Sequence, residues 1–181
     1  MSRRLFFALW PSDADRAALT RATEPVLAEL RGRLVPSANH HLTLAFLGSV
    51  AEERVADVRA VGQEVAQSMP RATLIDVVLE RLAHWRKPEI VVAEADAPVP
   101  AVAFAQALKD ALTAAGFAPD LKPFRAHVTL ARKVSRASPG LRMDSVRWSF
   151  DSLALVESTT LPSGSLYSVV DSWPLGERGS R

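Results

Sequence analysis

Two similar halves joined into one α+β fold are what this sequence predicts, on three observations. The stretch His41-Leu42-Thr43-Leu44-Ala45 returns as His127-Val128-Thr129-Leu130-Ala131, with four of five residues unchanged. Both copies alternate apolar and polar residues and are rich in strand formers, so each reads as a short β-strand. Each copy is also preceded by the same order of parts: a buried strand, an amphipathic helix and a proline-bearing loop. The first motif histidine falls 36 residues after Leu5 and the second 37 after Ile90. A repeat present twice makes no solenoid. It predicts a bilobal, pseudo-two-fold duplication in which equivalent strands face one another across the axis. The repeats span about 3–48 and 89–132, interleaved in a single domain over 1–175, with 176–181 as a disordered tail.

The elements follow in order. Arg3 to Trp10 reads as a buried strand closed by Pro11. Ser12 is a good N-cap for a helix from about Asp13 toward Arg31, with acids in its first turn and bases in its last. Pro25 is expected to kink or split it, and Gly32 to end it. A Pro36-Ser37-Ala38-Asn39 turn leads into the first motif strand, whose Leu42, Leu44 and Phe46 are expected on the core side. Ser49-Val50-Ala51-Glu52 has the form of a capping box before a helix with Ala51, Val55, Val58, Gly62 and Val65 on one face. Thr73 to Leu82 and Glu89 to Ala95 read as strands. His84-Trp85-Arg86-Lys87-Pro88 joins them as a surface turn, with RNA contact as its alternative reading. Pro98 and Pro100 start a third helix, and Ala101, Phe104, Ala105, Leu108, Leu112 and Ala115 form its apolar stripe up to Gly116. Phe117 to Phe124 is a loop before the second motif strand, and Arg132 to Met143 a polar surface loop. Ser145 to Glu157 and Leu166 to Trp173 read as strands around a Leu161-Pro162-Ser163-Gly164-Ser165 turn, and residues after Pro174 as frayed.

Composition narrows the function. The 181 residues are 48% hydrophobic and 23% charged, ordinary for one globular domain, and contain no cysteine, so disulfide and thiolate chemistry are excluded. The apolar run after Arg4 is cut by Pro11 and Asp13, too short for a signal peptide, and no stretch approaches a membrane span, so a cytoplasmic protein is expected. The formal charge is only +2. Lys122, Arg125, Arg132, Lys133, Arg136, Arg142 and Arg147 nonetheless crowd one region against the single acid Asp144. That run reads either as a solvated face or as a guide for a polyanion.

On a strand His41 and Thr43 share a face, as do His127 and Thr129. Two imidazoles across a cleft can act as acid and base near neutral pH, and two hydroxyls can donate to an anion between them. That set fits in-line displacement at phosphorus without a metal. A zinc site would need a further carboxylate, because His40 points away from His41. Gly-rich phosphate loops, the dinucleotide fingerprint and Gly-x-Ser-x-Gly are all absent.

With these residues in view, His41 to Gly48 (His-Leu-Thr-Leu-Ala-Phe-Leu-Gly) and His127 to Arg132 (His-Val-Thr-Leu-Ala-Arg) resemble the paired His-x-Thr motifs of the 2H phosphoesterase superfamily. More narrowly they resemble its RNA 2′,3′-cyclic phosphodiesterase branch, also called 2′-5′ RNA ligase-like. Arg4 to Leu9, Glu157-Ser158, Gly164, Tyr167 and Trp173-Pro174-Leu175 are similar to that branch too. The resemblance implies two antiparallel sheets flanking a central cleft with helices on the outside. It also implies hydrolysis of RNA 2′,3′-cyclic phosphate ends to 2′-phosphates with no cofactor and no metal. His41 would be the proton donor and His127 the proton acceptor, with Thr43, Thr129 and Arg132 on the phosphate. Symmetry alone leaves open which histidine is the acid. Arg132 meets the phosphate only if its strand ends or bulges at Ala131, since simple alternation turns it away from Thr129. Phe7 is expected as a base contact and Phe46 as core. His40 stands where the family usually carries an apolar or aromatic residue. The partner is then an RNA end or a small cyclic nucleotide, met by a monomer away from membranes. The alternatives are a cyclic nucleotide phosphodiesterase, a 2′-5′ RNA ligase at the same site, or a non-catalytic nucleotide- or RNA-binding module.

Overall fold

A computed structural model describes residues 1–70, 73–137, 140–162 and 164–176. In chain order the elements are β1 (Ser2–Leu9), α1 (Asp13–Leu27), β2 (Arg33–Leu34), β3 (Leu42–Ala51), α2 (Val55–Ser68), β4 (Ile75–Leu79), β5 (Arg81–Trp85), β6 (Ile90–Glu94), α3 (Val99–Ala114), β7 (His127–Arg132), β8 (Val146–Phe150), β9 (Ser152–Leu161) and β10 (Gly164–Pro174). They form one sheet in the order β10-β9-β1-β3, a second in the order β2-β7-β6-β5, and a separate β4-β8 pair. All pairings are antiparallel, so the predicted α+β class holds. The two repeats appear as equivalent strand pairs, β1 with β3 in one sheet and β6 with β7 in the other.

The helices bury the stripes that their periodicity marks. Val58, Val61 and Val65 of α2, and Phe104, Leu108 and Leu112 of α3, join the main core with Trp148 and Phe7. Helix α2 packs on α3, β9 and β10, while α3 also meets β3. Gly62 of α2 lies where a methyl group would stand 2.7 Å from both Phe7 Cε1 and Trp173 Cζ3. The missing side chain is what lets this helix approach the sheet.

Several boundaries differ from the sequence expectation. Ser12 does cap α1, and Asp15 completes a capping box with it. The helix stops at Leu27 instead of running to Arg31, has no base in its last turn, and carries Pro25 inside without splitting. A proline so near the end removes one hydrogen bond where the ladder is already finishing in short i→i+3 bonds from Glu29 and Leu30. Ser49 caps nothing, because β3 runs on through Ala51 and α2 starts after Arg54 with no side-chain cap. The stretches expected as single strands at 73–82 and 145–157 are each two strands, broken at Glu80 and Asp151. At each break the backbone bonds to another element: Glu80 N–H donates to Glu94 O at 3.1 Å, and Asp151 O accepts from Leu175 N–H at 2.8 Å. Apolar periodicity continues across such a corner, so it does not show the change of sheet. Leu175, expected to fray, is buried, and the Gly176 N–H donates to Ala66 O of α2. The hairpin turn's Ser163 and tail residues 177–181 lie outside the described residues.

The pairing register explains which side chains reach the cleft. In β3, Ala45 pairs with Phe7 and Thr43 with Ala8, so Leu44 is an extra residue. In β7, Ala131 pairs with Val91 and Thr129 with Val92, so Leu130 is an extra residue. Both motifs therefore bulge at the leucine after the threonine. The alternation flips there, and two successive residues face inward: Leu44 and Ala45 are buried, as are Leu130 and Ala131. Phe46 and Arg132, each three residues after its threonine, then turn back to that threonine's side. Arg132 thus reaches the cleft by a bulge one residue earlier than Ala131, and Phe46 is cleft wall instead of core. The same register pairs Phe6 with Phe46 and Ile90 with Arg132, so Ile90 corresponds to Phe6, one residue along from Leu5.

Candidate active site

A cavity of about 510 Å³ opens between the two main sheets, lined among others by His41, Thr43, His127, Thr129 and Arg132. Four expected residues and Arg132 thus meet in one place. Phe7 does not: it is fully buried in the main core, 6.2 Å from the Trp173 ring. Strand alternation puts its neighbour Phe6 on the cleft side, and with Phe46 and Tyr167 it forms an aromatic wall.

The two histidines are held alike. His41 Nδ1 lies 2.7 Å from Asn39 O and His127 Nδ1 lies 2.8 Å from Arg125 O, the carbonyl two residues back in each copy. A carbonyl only accepts, so each Nδ1 carries the proton and donates it. Each Nε2 is left for chemistry. His41 Nε2 sits 3.0 Å from Thr43 Oγ1. Asn39 is itself fixed, its side-chain amide donating to Ser165 O at 2.7 Å.

Their surroundings differ. His41 is packed by Phe6 (ring centroids 4.9 Å apart), Tyr167 (5.1 Å, edge-on) and Trp10 (5.7 Å, stacked). Trp10 in turn carries the Arg16 guanidinium at 4.8 Å. Burial pushes the His41 imidazole down to about 4, assisted by the charges of His127, His40 and Arg132 and opposed by the Asn39 carbonyl. His127 meets Trp85 at 4.6 Å, and that indole donates to Glu94, which also holds Arg125. Its pKa is lowered too, by burial first and then by Arg125 and Arg132, with the Arg125 carbonyl and Glu94 acting the other way. Among the described residues no three His, Asp or Glu side chains are grouped to hold a metal ion.

Sequence reasoning placed Tyr167 and Phe6 only within stretches of resemblance and Trp10 only at the end of a strand, and gave neither these rings nor the two orienting carbonyls a part in the site. Tyr167 is the chain's one tyrosine, a signal that could have singled it out. The basic run divides: Lys122, Arg125 and Arg132 border the cleft, while Arg147 pairs with Asp76 at 3.1 Å in the β4-β8 pair.

His40 points away from His41's cavity and is buried. Its Nε2 donates to Val35 O at 3.2 Å, whereas Nδ1 has no partner among the described residues. Burial holds its pKa down to about 4. A depressed pKa favours the neutral native form, so this contribution is full above pH about 6.5 and is lost as pH falls toward 4, roughly 3 kcal/mol in all. Denaturant unfolding at both ends of that window should show a smaller acid loss in His40→Phe than in the unaltered protein. An equal loss would contradict this.

The sequence profile of the 2′-5′ RNA ligase superfamily matches residues 10–160, and the chain belongs to that superfamily, the 2H phosphoesterases. It is 32% identical to the RNA 2′,3′-cyclic phosphodiesterase of Thermus thermophilus, over 97% of this chain and 92% of that one. It is 29% identical to the Escherichia coli enzyme of the same name, over 75% of this chain and 74% of that one. The crystal structure of E. coli LigT complexed with 3′-AMP superposes with a TM-score of 0.85 over 98% of this chain and all of that one, at 23% identity. No helix among the described residues is long and apolar enough to cross a membrane.

Proposed function

We propose that this protein hydrolyses RNA 2′,3′-cyclic phosphate ends to 2′-phosphomonoesters without a metal, residues 1–175 acting as one bilobal unit. The supporting observation is that both His-x-Thr strands contribute to one cavity, each imidazole with Nδ1 tied to a carbonyl, which leaves Nε2 for the reaction, that of His41 beside Thr43 Oγ1. His127 takes a proton from water as the water attacks phosphorus, and the phosphorus–O3′ bond breaks as His41 protonates the leaving 3′ oxygen. Thr43 and Thr129 donate to the non-bridging oxygens, and Arg132 adds a positive charge where negative charge builds. The bound phosphate anion raises the His41 pKa from its empty-site value, so that the imidazole can arrive protonated.

A second reading exchanges the two roles. Three aromatic rings surround His41, whereas the Glu94 carboxylate favours a proton on His127. In the empty site the proton then rests more easily on His127.

Incubating a cyclic-phosphate-ended oligonucleotide in excess chelator tests the proposal. It expects undiminished turnover and a 2′-phosphate product. Activity that is lost with chelator and returns with a divalent ion, or a 3′-phosphate product, rejects it. Turnover of small cyclic nucleotides alone, or joining of ends, would select the other activities of this site.

A further inference from the structure

We propose that a second basin beside His127 binds the nucleotide that precedes the cyclic end, so that a strand is preferred over a mononucleotide. This rests on the function proposed above. The basin, about 370 Å³, adjoins the catalytic cavity and shares Thr43, Phe46, Trp85, Pro88 and His127 with it. Four cationic side chains (Lys87, Lys109, Lys122 and Arg125) line it against one carboxylate, Asp120. Trp85 and Phe124 supply ring faces, and Arg125 lies 4.1 Å over the Trp85 ring.

The basin is built, not incidental. The buried Lys109 of α3 donates to Lys122 O, the Asp120 carboxylate accepts from Lys122 N–H at 3.0 Å, and Asp120 N–H donates to Phe46 O at 3.0 Å. These bonds fasten the 117–124 loop to both α3 and β3. Lys122 and Lys87 remain exposed at the rim. A cationic groove with aromatic faces is the chemistry that holds a single-stranded nucleotide through its phosphate and base. The basin on another side of the cavity has two cationic side chains, Arg33 and Arg132, among apolar residues such as Leu34, Pro36, Leu161 and Leu166, against four cationic side chains here. A 2′,3′-cyclic phosphate leaves the strand only one direction to continue, through the 5′ oxygen of its terminal nucleoside. With that nucleoside against Phe6, Phe46 and Tyr167, the next phosphodiester reaches the lysines.

The test compares kcat/KM for a dinucleotide and a mononucleoside, both ending in 2′,3′-cyclic phosphate, in the unaltered protein and in the Lys87→Ala/Lys122→Ala double variant. The unaltered protein should prefer the dinucleotide roughly tenfold or more. The double variant should keep its mononucleotide rate and lose most of that preference. Added salt should erode the preference of the unaltered protein and leave that of the variant nearly flat. Absence of a preference, or equal losses on both substrates in the variant, overturns the strand subsite while the hydrolytic function stands. Turnover of neither substrate by the unaltered protein overturns both.

Discussion

His41→Ala and His127→Ala should each lower turnover of a cyclic-phosphate-ended oligonucleotide by roughly 10²- to 10⁴-fold. The geometry behind this is a shared cavity in which the Nδ1 of each ring is tied to a carbonyl and Nε2 is left to exchange a proton. If the two act in one proton relay, the double variant should be little worse than the poorer single one, because groups that act as a unit are not additive. Circular dichroism and unfolding curves must first show the variants folded. Since neither ring belongs to the main apolar core, both variants should fold. Near-wild-type turnover in either folded variant would remove the relay.

Thr43→Val and Thr129→Val are expected to cost roughly 10²- to 10³-fold in kcat each, the usual loss of one donor to a developing oxyanion. Valine keeps the shape and the strand, so KM should change far less. The two differ in one respect. Thr43 Oγ1 also stands 3.0 Å from His41 Nε2. Its loss should therefore move a limb of the pH profile, whereas loss of Thr129 should leave the limbs in place. Equal, small effects on kcat in both variants would mean that the hydroxyls do not touch the phosphate.

Much of this was legible in the sequence because the repeat carries its own alignment: two histidines and two threonines in one frame needed only strand alternation to place them together. Arg132 and Phe46 show where that rule stops. One extra residue at Leu44 and one at Leu130 invert the faces beyond them, and a bulge leaves no mark in hydrophobic periodicity. Phe7 was misplaced for a related reason. Phe6 and Phe7 are chemically identical neighbours on opposite faces, and only the pairing to β3 says which face is which. The corners at Glu80 and Asp151 were hidden because each is only a two-residue polar step, Glu80-Arg81 and Asp151-Ser152, between apolar residues. The capping box expected at Ser49 failed against a competing strand, whose ladder to β1 runs through Ala51. The orienting carbonyls of Asn39 and Arg125 are backbone atoms, visible only once the loops before each motif are in place.

The pH dependence of kcat/KM, in the unaltered protein and in the two histidine variants, bears most directly on the claim of paired acid and base. The acidic limb reports loss of the base by protonation, the basic limb loss of the acid by deprotonation, and kcat/KM reads both in the free enzyme. Burial lowers both imidazole pKa values, that of His41 to about 4, so both limbs should move to lower pH and the bell should peak on the acid side of about 6.5. With His41 as donor and His127 as acceptor, residual activity of His127→Ala should lack the acidic limb and that of His41→Ala the basic limb. The opposite pattern would exchange the roles and keep the pair. A bell whose two limbs survive unchanged in both variants would contradict the two-histidine account.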